Sequence, residues 1–301
     1  ALYHDAGNPC LSHLAEHFLR ELTGKDGESF LEEMLDGSET AEALGDMGIH
    51  TGRLVRLVTG NEKPLSDVLH GSLDVDNLDN VNRYRAATRT KSPAFDAQAI
   101  ADAFRFTPAG WVLRAEAKQE TEKWKVARAA VYAEIYESPH LAPAMMVYRA
   151  LEIAFLRNEI RREFFLLDDS GAVAHLAERT NPKSAALIER ALRWDWYHEV
   201  IGQSWTDPPE RVRELSKSWK SRNAAAETIV RALELPEEAV CVYIGKGRDK
   251  RKIHLPFVSE DGRVTSDEDD DAPIYRLKVY LPREHMHAHE RARNAIRSFL
   301  E

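Results

Sequence analysis

The sequence is poor in cysteine and has no long apolar run, and each absence argues against one class of protein. Cys10 and Cys241 are the only cysteines among 301 residues, too few for the disulfide framework of a small secreted domain. No apolar stretch approaches the roughly 18–20 residues that a membrane-spanning helix needs. No charged and then apolar leader opens the chain. We therefore expect a cytoplasmic protein without a membrane partner.

The overall composition is that of an ordinary globular protein. Hydrophobic residues make up 43% and charged residues 30% of the chain, and the mean hydropathy is −0.47. The formal net charge of −9 disfavours a protein that coats nucleic acid, although it allows a local basic pocket for phosphate. A chain of this length can form one large domain or two smaller ones.

Helical spacing of apolar residues dominates the first part of the chain. We predict an irregular or hairpin connection over 91–114 and helices over 119–137, 144–161, 184–199 and 209–233. The composition then changes, because AVCVYIG and IYRLKVYLP have the pattern of strands and HERARNAIRSFL that of a closing helix. The sequence thus predicts a mainly α fold, with a helical body over 1–234 and a small α+β appendage over 235–301 packed on it.

The stretch HDAGNPCLSHLAE carries the first candidate site. Gly7 permits a tight turn, and Ser12 is suited to start a helix that carries His13 and Glu16. At a spacing of i,i+3 the Glu16 carboxylate can hold the His13 imidazole in one tautomer, as in a proton-transferring histidine with its orienting acid. The alternative is a polar helix face that carries His and Glu by chance, and spacing alone favours it.

The stretch SLDVDNLDNVNRYR places Asp74, Asp76 and Asp79 at an apparent helix start. Carboxylates there complement the helix dipole, and that account suffices for Asp74. The functional alternative is that one of the three joins His4 and Asp5 as ligands of a divalent metal.

In the long predicted helix, Arg128, Tyr132 and Tyr136 are spaced i, i+4 and i+8 and therefore share one face. A guanidinium and two aromatic rings suit a phosphate and a base. The alternative is a half-buried face on which these long side chains only reach towards water.

Three further segments give weaker support for a functional role. GKGRDKRK resembles a solvated hairpin, although it could contact phosphates of an effector nucleotide or of single-stranded nucleic acid. HMHAH is expected to be a surface segment, because histidines at i,i+2 diverge on a helix. Trp194, Trp196 and Tyr197 are expected to pack in the core.

Together the two acidic and histidine-rich stretches resemble the HD-domain deoxynucleoside triphosphate triphosphohydrolases. HDAGNPCLSHLAE is similar to the core of that family, and its GNP followed by H-x-x-E is closest to the bacterial dGTPases. HGSLDVDNLDNV resembles the segment that supplies the last metal-ligating Asp. The likeness continues loosely through most of the chain, and it implies an HD-domain helical body.

The resemblance implies a metal site and a catalytic pair. His4, Asp5 and Asp76 match metal ligands of the family, and a further His would lie upstream of this sequence. The metal would be a divalent ion such as manganese, magnesium or iron. His13 matches the catalytic histidine and Glu16 the acid that orients it.

The resemblance also implies substrate contacts. Arg128 matches an arginine that contacts the triphosphate, Tyr136 matches a tyrosine that packs on sugar or base, and Tyr132 shares their face. Asn80 stands where vertebrate members have a tyrosine that helps to exclude a ribose 2′-hydroxyl, and Asn77 where they have a basic residue. We therefore expect Asn80 to contact the substrate. We also expect the discrimination between deoxy- and ribonucleotides to differ from that of the vertebrate members.

The implied activity is metal-dependent hydrolysis of (deoxy)nucleoside triphosphates to nucleoside and inorganic tripolyphosphate. The alternatives are another HD-superfamily nucleotidase or phosphodiesterase, or a non-catalytic nucleotide- or nucleic-acid-binding module. The expected partners are a nucleoside triphosphate substrate, a nucleotide effector and further copies of the chain in a homo-oligomer. Nucleic acid is a less expected partner.

Overall fold

The computed structural model describes residues 4–88, 90–108, 110–137, 139, 141–245, 253–268 and 274–300. Its α-helices are α1 (Glu16–Thr23), α2 (Gly27–Leu35), α3 (Glu39–Asp46), α4 (Thr51–Val58), α5 (Asp67–His70), α6 (Val75–Thr88), α7 (Ala97–Ala103), α8 (Lys118–Glu137), α9 (Leu141–Leu156), α10 (Asp169–Glu178), α11 (Pro182–Leu192), α12 (Glu210–Leu215), α13 (Trp219–Leu233) and α14 (His289–Leu300). Its strands are β1 (Phe104–Thr107), β2 (Gly110–Arg114), β3 (His198–Trp205), β4 (Cys241–Gly245), β5 (His254–Val258), β6 (Val264–Glu268) and β7 (Tyr275–Leu281). Helices therefore dominate, which confirms the prediction of a mainly α fold.

The chain divides into two compact units, and each is built from separated segments. The first unit consists of Ala1–Gly7, Gly27–Ser138 and Arg248–Asp271. The second unit consists of Asn8–Asp26, Pro139–Gly247 and Ala272–Glu301. Both units contain residues on either side of position 234. A compact unit of this kind is not the same as an independently folding domain, so the division into 1–234 and 235–301 stays a prediction.

In the first unit, helices pack on a four-stranded sheet of order β1-β2-β5-β6. β1 and β2 form the hairpin expected within 91–114, and β5 joins β2 in parallel. Two hydrophobic cores lie among the described residues of this unit. The larger lies between α6, α7, α8 and the sheet, with Trp124 fully buried, and the smaller lies between α2, α3 and α4.

In the second unit, a three-stranded antiparallel sheet of order β3-β7-β4 supports the core. Apolar side chains of α13 and α14 pack against this sheet, including Ile229 and Ile296. α11 starts with Pro182 directly after Asn181, whose side-chain oxygen accepts hydrogen bonds from the first free backbone N–H groups.

The structure corrects several predicted element boundaries. The helix predicted to reach residue 199 ends at Leu192, because from His198 onwards the chain pairs with β7 as strand β3. The helix predicted over 209–233 is interrupted at 216–218, where Ser218 caps the start of α13. The long helix predicted over 119–137 is confirmed as α8. It contains neither Gly nor Pro. No helix within the described ranges is long and apolar enough to cross a membrane.

The contact between Gly7 and α2 generates a prediction about stability. A Cβ atom at residue 7 would lie 2.1 Å from the carbonyl oxygen of Gly27 and 2.6 Å from the backbone nitrogen of Leu31. Both neighbours are backbone atoms, which cannot rotate away. We expect Gly7→Ala to lower the free energy of unfolding by ~1–3 kcal/mol, measured by urea denaturation.

Gly45→Ala is the matched control for this change. Gly45 lies within α3, and no atom is found within 4 Å of the position its Cβ would take. The same substitution there should raise the free energy of unfolding by ~0.5–1 kcal/mol, because alanine favours helix. Equal effects of the two substitutions would contradict the close packing at Gly7.

Candidate functional site

A His and two Asp side chains converge in the first unit. His4 Nε2 lies 3.2 Å from Asp5 Oδ2 and 3.5 Å from Asp76 Oδ1. One potential ligand atom from each residue lies within 4.8 Å of the other two. The side chains of His4 and Asp76 are 24% and 32% exposed, and that of Asp5 is 60% exposed, so solvent reaches the group. Within the described residues this is the one His, Cys, Asp and Glu cluster with such spacing.

The positions of these three side chains follow from two local structures. Residues 4–7 form a turn, which Gly7 holds against α2 through the close backbone approach described above. Asp76 lies in the first turn of α6. Asp74 immediately precedes that helix, and its Oδ1 accepts a 2.6 Å hydrogen bond from the Asn77 N–H, as a capping residue does. Asp74 thus caps the start of α6, and its expected effect on the helix dipole stays a prediction.

The side chain of Asn80 contacts the candidate ligand Asp76. Asn80 Nδ2 donates a 2.6 Å hydrogen bond to Asp76 Oδ2, and Asn80 Oδ1 accepts one of 2.6 Å from Arg83 Nη2. Asp76 Oδ1 is the atom that faces His4. Asn80 thus orients the carboxylate, a support that the sequence reasoning did not identify. The i,i+4 spacing of Asp76 and Asn80 is the signal that could have revealed it. The predicted contact of Asn80 with substrate stays a prediction.

The donor set fits a divalent metal ion. One imidazole nitrogen and two carboxylate oxygens form a mixed N/O set, which suits manganese, iron and related ions and does not select among them. The hydrogen bond from Asn80 is the kind of outer contact that orients metal-ligating carboxylates. Asp79, by contrast, is 63% exposed and pairs with Arg83, so it lies outside the group.

His13 and Glu16 form a hydrogen-bonded pair in the second unit. His13 Nδ1 lies 3.1 Å from Glu16 Oε2, and Arg20 Nη2 donates to Glu16 Oε1 at 3.3 Å. The carboxylate is therefore held between an imidazole and a guanidinium. His13 is 43% exposed on its side chain, which leaves the rest of the ring accessible. The role of Arg20 was missed, although its i,i+4 spacing from Glu16 is visible in the sequence.

The backbone around this pair differs from the predicted helix. Residues Ser12–Leu14 form a 3-10 helix, and α1 begins only at Glu16. The reason is that Leu11 and Ser12 have left-handed backbone angles, with φ of 59° and 49°, which an α-helix cannot include. The Leu11 N–H donates a 2.7 Å hydrogen bond to Asp169 Oδ1, which stabilises this unusual conformation.

Arg128, Tyr132 and Tyr136 share one face of α8, as predicted. Arg128 and Tyr136 are each only 7% exposed, and Tyr132 is half-buried. The Arg128 guanidinium carbon lies 5.0 Å from the centre of the Tyr132 ring and 5.9 Å from that of Trp124. Arg128 and Tyr132 thus pack against each other, and the contacts of all three residues with substrate stay predictions.

The other sequence features are placed as follows. Tyr197 is buried as predicted, whereas Trp194 is 75% exposed, so its assignment to the core is wrong. Trp194, whose backbone φ is 61°, instead stacks on Trp196 with 4.9 Å between ring centres. The first four residues of HMHAH lie in a 3-10 helix, and its last residue, His289, begins α14. GKGRDKRK lies, apart from its first residue, outside the described residues.

The comparisons with known proteins support an HD-type assignment. Residues 95–299 match the protein family described as the HD associated region. This match spans more than half of the chain, and the chain therefore belongs to that family. No curated protein matches the sequence.

Solved structures share the fold at low sequence identity. A phosphohydrolase from Bacteroides thetaiotaomicron aligns with a TM-score of 0.62 and 14% identity, covering 94% of this chain and 78% of that one. A hypothetical protein from Aquifex aeolicus aligns with a TM-score of 0.70 and 19% identity, covering 98% and 78%. At such identities the likeness establishes a common fold.

The geometry of the metal group generates a binding prediction. Asp76→Asn removes one charged oxygen ligand, and we expect it to weaken Mn²⁺ binding by roughly 10–100-fold or more, measured by isothermal titration calorimetry. Asp79→Asn removes the same charge from the same helix, but Asp79 lies outside the metal group. The Mn²⁺ affinity of this variant should match that of the unchanged protein. Equal losses in both variants would show that only the overall charge of α6 matters.

The surroundings of His17 on α1 generate a prediction about pH. Burial, and next the positive charge of Arg222, lower the pKa of His17 from 6.5 to about 4. The unfolded chain therefore binds more protons than the folded one between these values, and the free energy of unfolding falls as the pH drops through this window.

We expect His17→Gln to flatten the dependence of stability on pH between 4.5 and 7, measured by urea unfolding. His198→Gln, a change at an exposed histidine of β3, should leave the slope unchanged. An unaltered slope in His17→Gln would contradict the assignment.

Proposed function

We propose that this chain is a divalent-metal-dependent phosphohydrolase of the HD type. The observation that carries the proposal is the convergence of His4, Asp5 and Asp76 within 4.8 Å, although Asp76 is distant in sequence. The HD-associated-region family and the fold shared with a protein named phosphohydrolase support the same class.

We further propose that the substrate is a nucleoside triphosphate, with a deoxynucleotide preferred, and that the products are nucleoside and inorganic tripolyphosphate. The similarity of HDAGNPCLSHLAE to the dGTPases supports this substrate. The guanidinium of Arg128 beside the ring of Tyr132 on α8 supports it as well, because such a pair suits phosphate and base.

The residues take separate roles in this reaction. His4, Asp5 and Asp76 would hold the metal ion, which when bound supplies Lewis-acid polarisation and an activated water at neutral pH. The water oxygen would form a bond to the α-phosphorus as the bond from phosphorus to the 5′-oxygen breaks, and the proton that the water loses would pass to solvent. His13, whose Nδ1 is held by Glu16, donates a proton to the departing 5′-oxygen.

The remaining predicted residues act on binding. Arg128 would offset charge on the β- and γ-phosphates, and Tyr132 and Tyr136 would pack on sugar or base. Asn80 would influence the choice between deoxy- and ribonucleotides. We also propose that the chain assembles as a homo-oligomer and responds to a nucleotide effector.

The products of hydrolysis test the proposed function. The protein is incubated with Mn²⁺ or Mg²⁺ and each dNTP and rNTP, singly and in mixtures, and the products are separated by phosphorus NMR. Mixtures are included because an effector requirement would hide activity on single nucleotides. We expect tripolyphosphate. Pyrophosphate or orthophosphate as the first product would indicate another HD phosphohydrolase, and no product with any mixture would contradict enzymatic function.

The role of His13 generates a kinetic prediction. His13→Ala should lower kcat by roughly 10²–10⁴-fold with little change in KM, because it removes proton donation in the transition state. The same change at the exposed His198 should leave both constants unchanged. Full turnover in His13→Ala would rule out proton transfer by this residue.

A further inference from the structure

The two residues before His13 hold a backbone conformation that their side chains disfavour. Leu11 and Ser12 have φ of 59° and 49°, and the left-handed region is unfavourable for any residue that carries a Cβ. Within the described ranges they are the one pair of neighbouring residues other than glycine with positive φ. Such a conformation persists only where contacts from the surrounding structure hold it.

The contacts that hold this segment come from the start of α10, far along the chain but in the same unit. Asp169 is the first residue of α10, and its Oδ1 accepts a 2.7 Å hydrogen bond from the Leu11 N–H. A carboxylate is a strong acceptor for a backbone donor, because the bond is assisted by its charge. The preceding residue is tied as well, since the Cys10 thiol donates to the carbonyl oxygen of Phe164 at 3.2 Å.

The turn after this contact affects how His13 meets Glu16. Two of its backbone hydrogen bonds each span three residues, at 3.1 Å, and Ser12–Leu14 is therefore a 3-10 helix. Side chains three residues apart eclipse in a 3-10 helix, whereas in an α-helix they are offset by about 60°. The turn thus favours the 3.1 Å contact between His13 Nδ1 and Glu16 Oε2. An α-helix that began at Ser12 would rotate the imidazole away from this alignment.

We propose that Asp169 is a positioning residue for His13. Its carboxylate holds the left-handed turn at Leu11 and Ser12, and the turn holds the imidazole against Glu16. Asp169 thereby acts through the backbone of Leu11 and not by touching a substrate. The consequence for catalysis rests on the proposed function, in which His13 donates a proton.

The kinetic constants for release of tripolyphosphate test this role. Asp169→Ala should lower kcat by about tenfold with little change in KM, because only the alignment of the proton donor is lost. Asp169→Asn keeps a side-chain oxygen that can accept from Leu11, and it should recover most of kcat. Asp169 is exposed, so we expect both variants to fold.

A second substitution tests the route through the backbone. Ser12 is exposed, and glycine adopts its left-handed angles without a steric penalty. Adding Ser12→Gly to Asp169→Ala should therefore raise kcat again. A loss of kcat in Asp169→Ala that Ser12→Gly does not reduce would overturn the proposed route.

The tautomer of His13 is a readout that needs no catalysis. Because the Glu16 carboxylate can only accept, the neutral ring that contacts it carries its proton on Nδ1. Nitrogen NMR shifts of the imidazole, recorded where the ring is neutral, distinguish this form from the Nε2–H form. We expect the Nδ1–H form alone in the unchanged protein and a mixture of both forms in Asp169→Ala.

Asp168→Ala is the matched control. Asp168 carries the same charge one residue earlier, but its Oδ1 accepts a 2.6 Å hydrogen bond from the Gly171 N–H and caps α10. Its loss should lower the free energy of unfolding while the His13 tautomer and kcat stay unchanged. The proposal is overturned if this control acts as Asp169→Ala does. A single tautomer in a folded Asp169→Ala overturns it too, as does full kcat.

The tautomer measurement separates this proposal from the proposed function. A mixture of tautomers in Asp169→Ala, together with no nucleotide hydrolysis by the unchanged protein, would support the positioning of His13 and reject the proposed function. Tripolyphosphate release by the unchanged protein, together with full kcat and a single tautomer in Asp169→Ala, would do the opposite.

Discussion

The contact between Gly7 and α2 is the constraint on which the candidate metal centre depends. The backbone of Gly7 approaches Gly27 and Leu31 so closely that no side chain fits. The turn that precedes it is thereby held in place, and this turn carries His4 and Asp5. Since Asp76 is fixed independently by the start of α6, the three donors meet only while both supports persist.

A second theme is that carboxylates and cations near the candidate sites are held by more than one neighbour. Asp76 is bonded by Asn80, and Glu16 lies between His13 and Arg20. Each arrangement restricts the rotamers of a group that a hydrolytic reaction would use, which is what preorganisation requires.

Local patterns predicted elements where local interactions decide the structure. α8 was predicted within one residue at its start, because twenty residues without Gly or Pro favour helix strongly. Strand β3 was missed, since it exists only through pairing with β7, more than seventy residues later. The strands β5 and β6 lie in the sheet of the first unit, where β5 pairs in parallel with β2, and no local pattern encodes such a partner.

The mainly α character could be predicted from the sequence because helix periodicity is local. His4, Asp5, His13, Glu16 and Asp76 became candidates through the resemblance to the HD-domain triphosphohydrolases, because their spacing alone is not diagnostic. The resemblance singled out Asp76, and the tertiary structure shows that Asp76 lies beside His4, that Asn80 bonds it and that Asp79 pairs with Arg83 instead. The physical reason is that burial and partner choice depend on which distant segments pack together, and the spacing of residues along one helix carries no record of that.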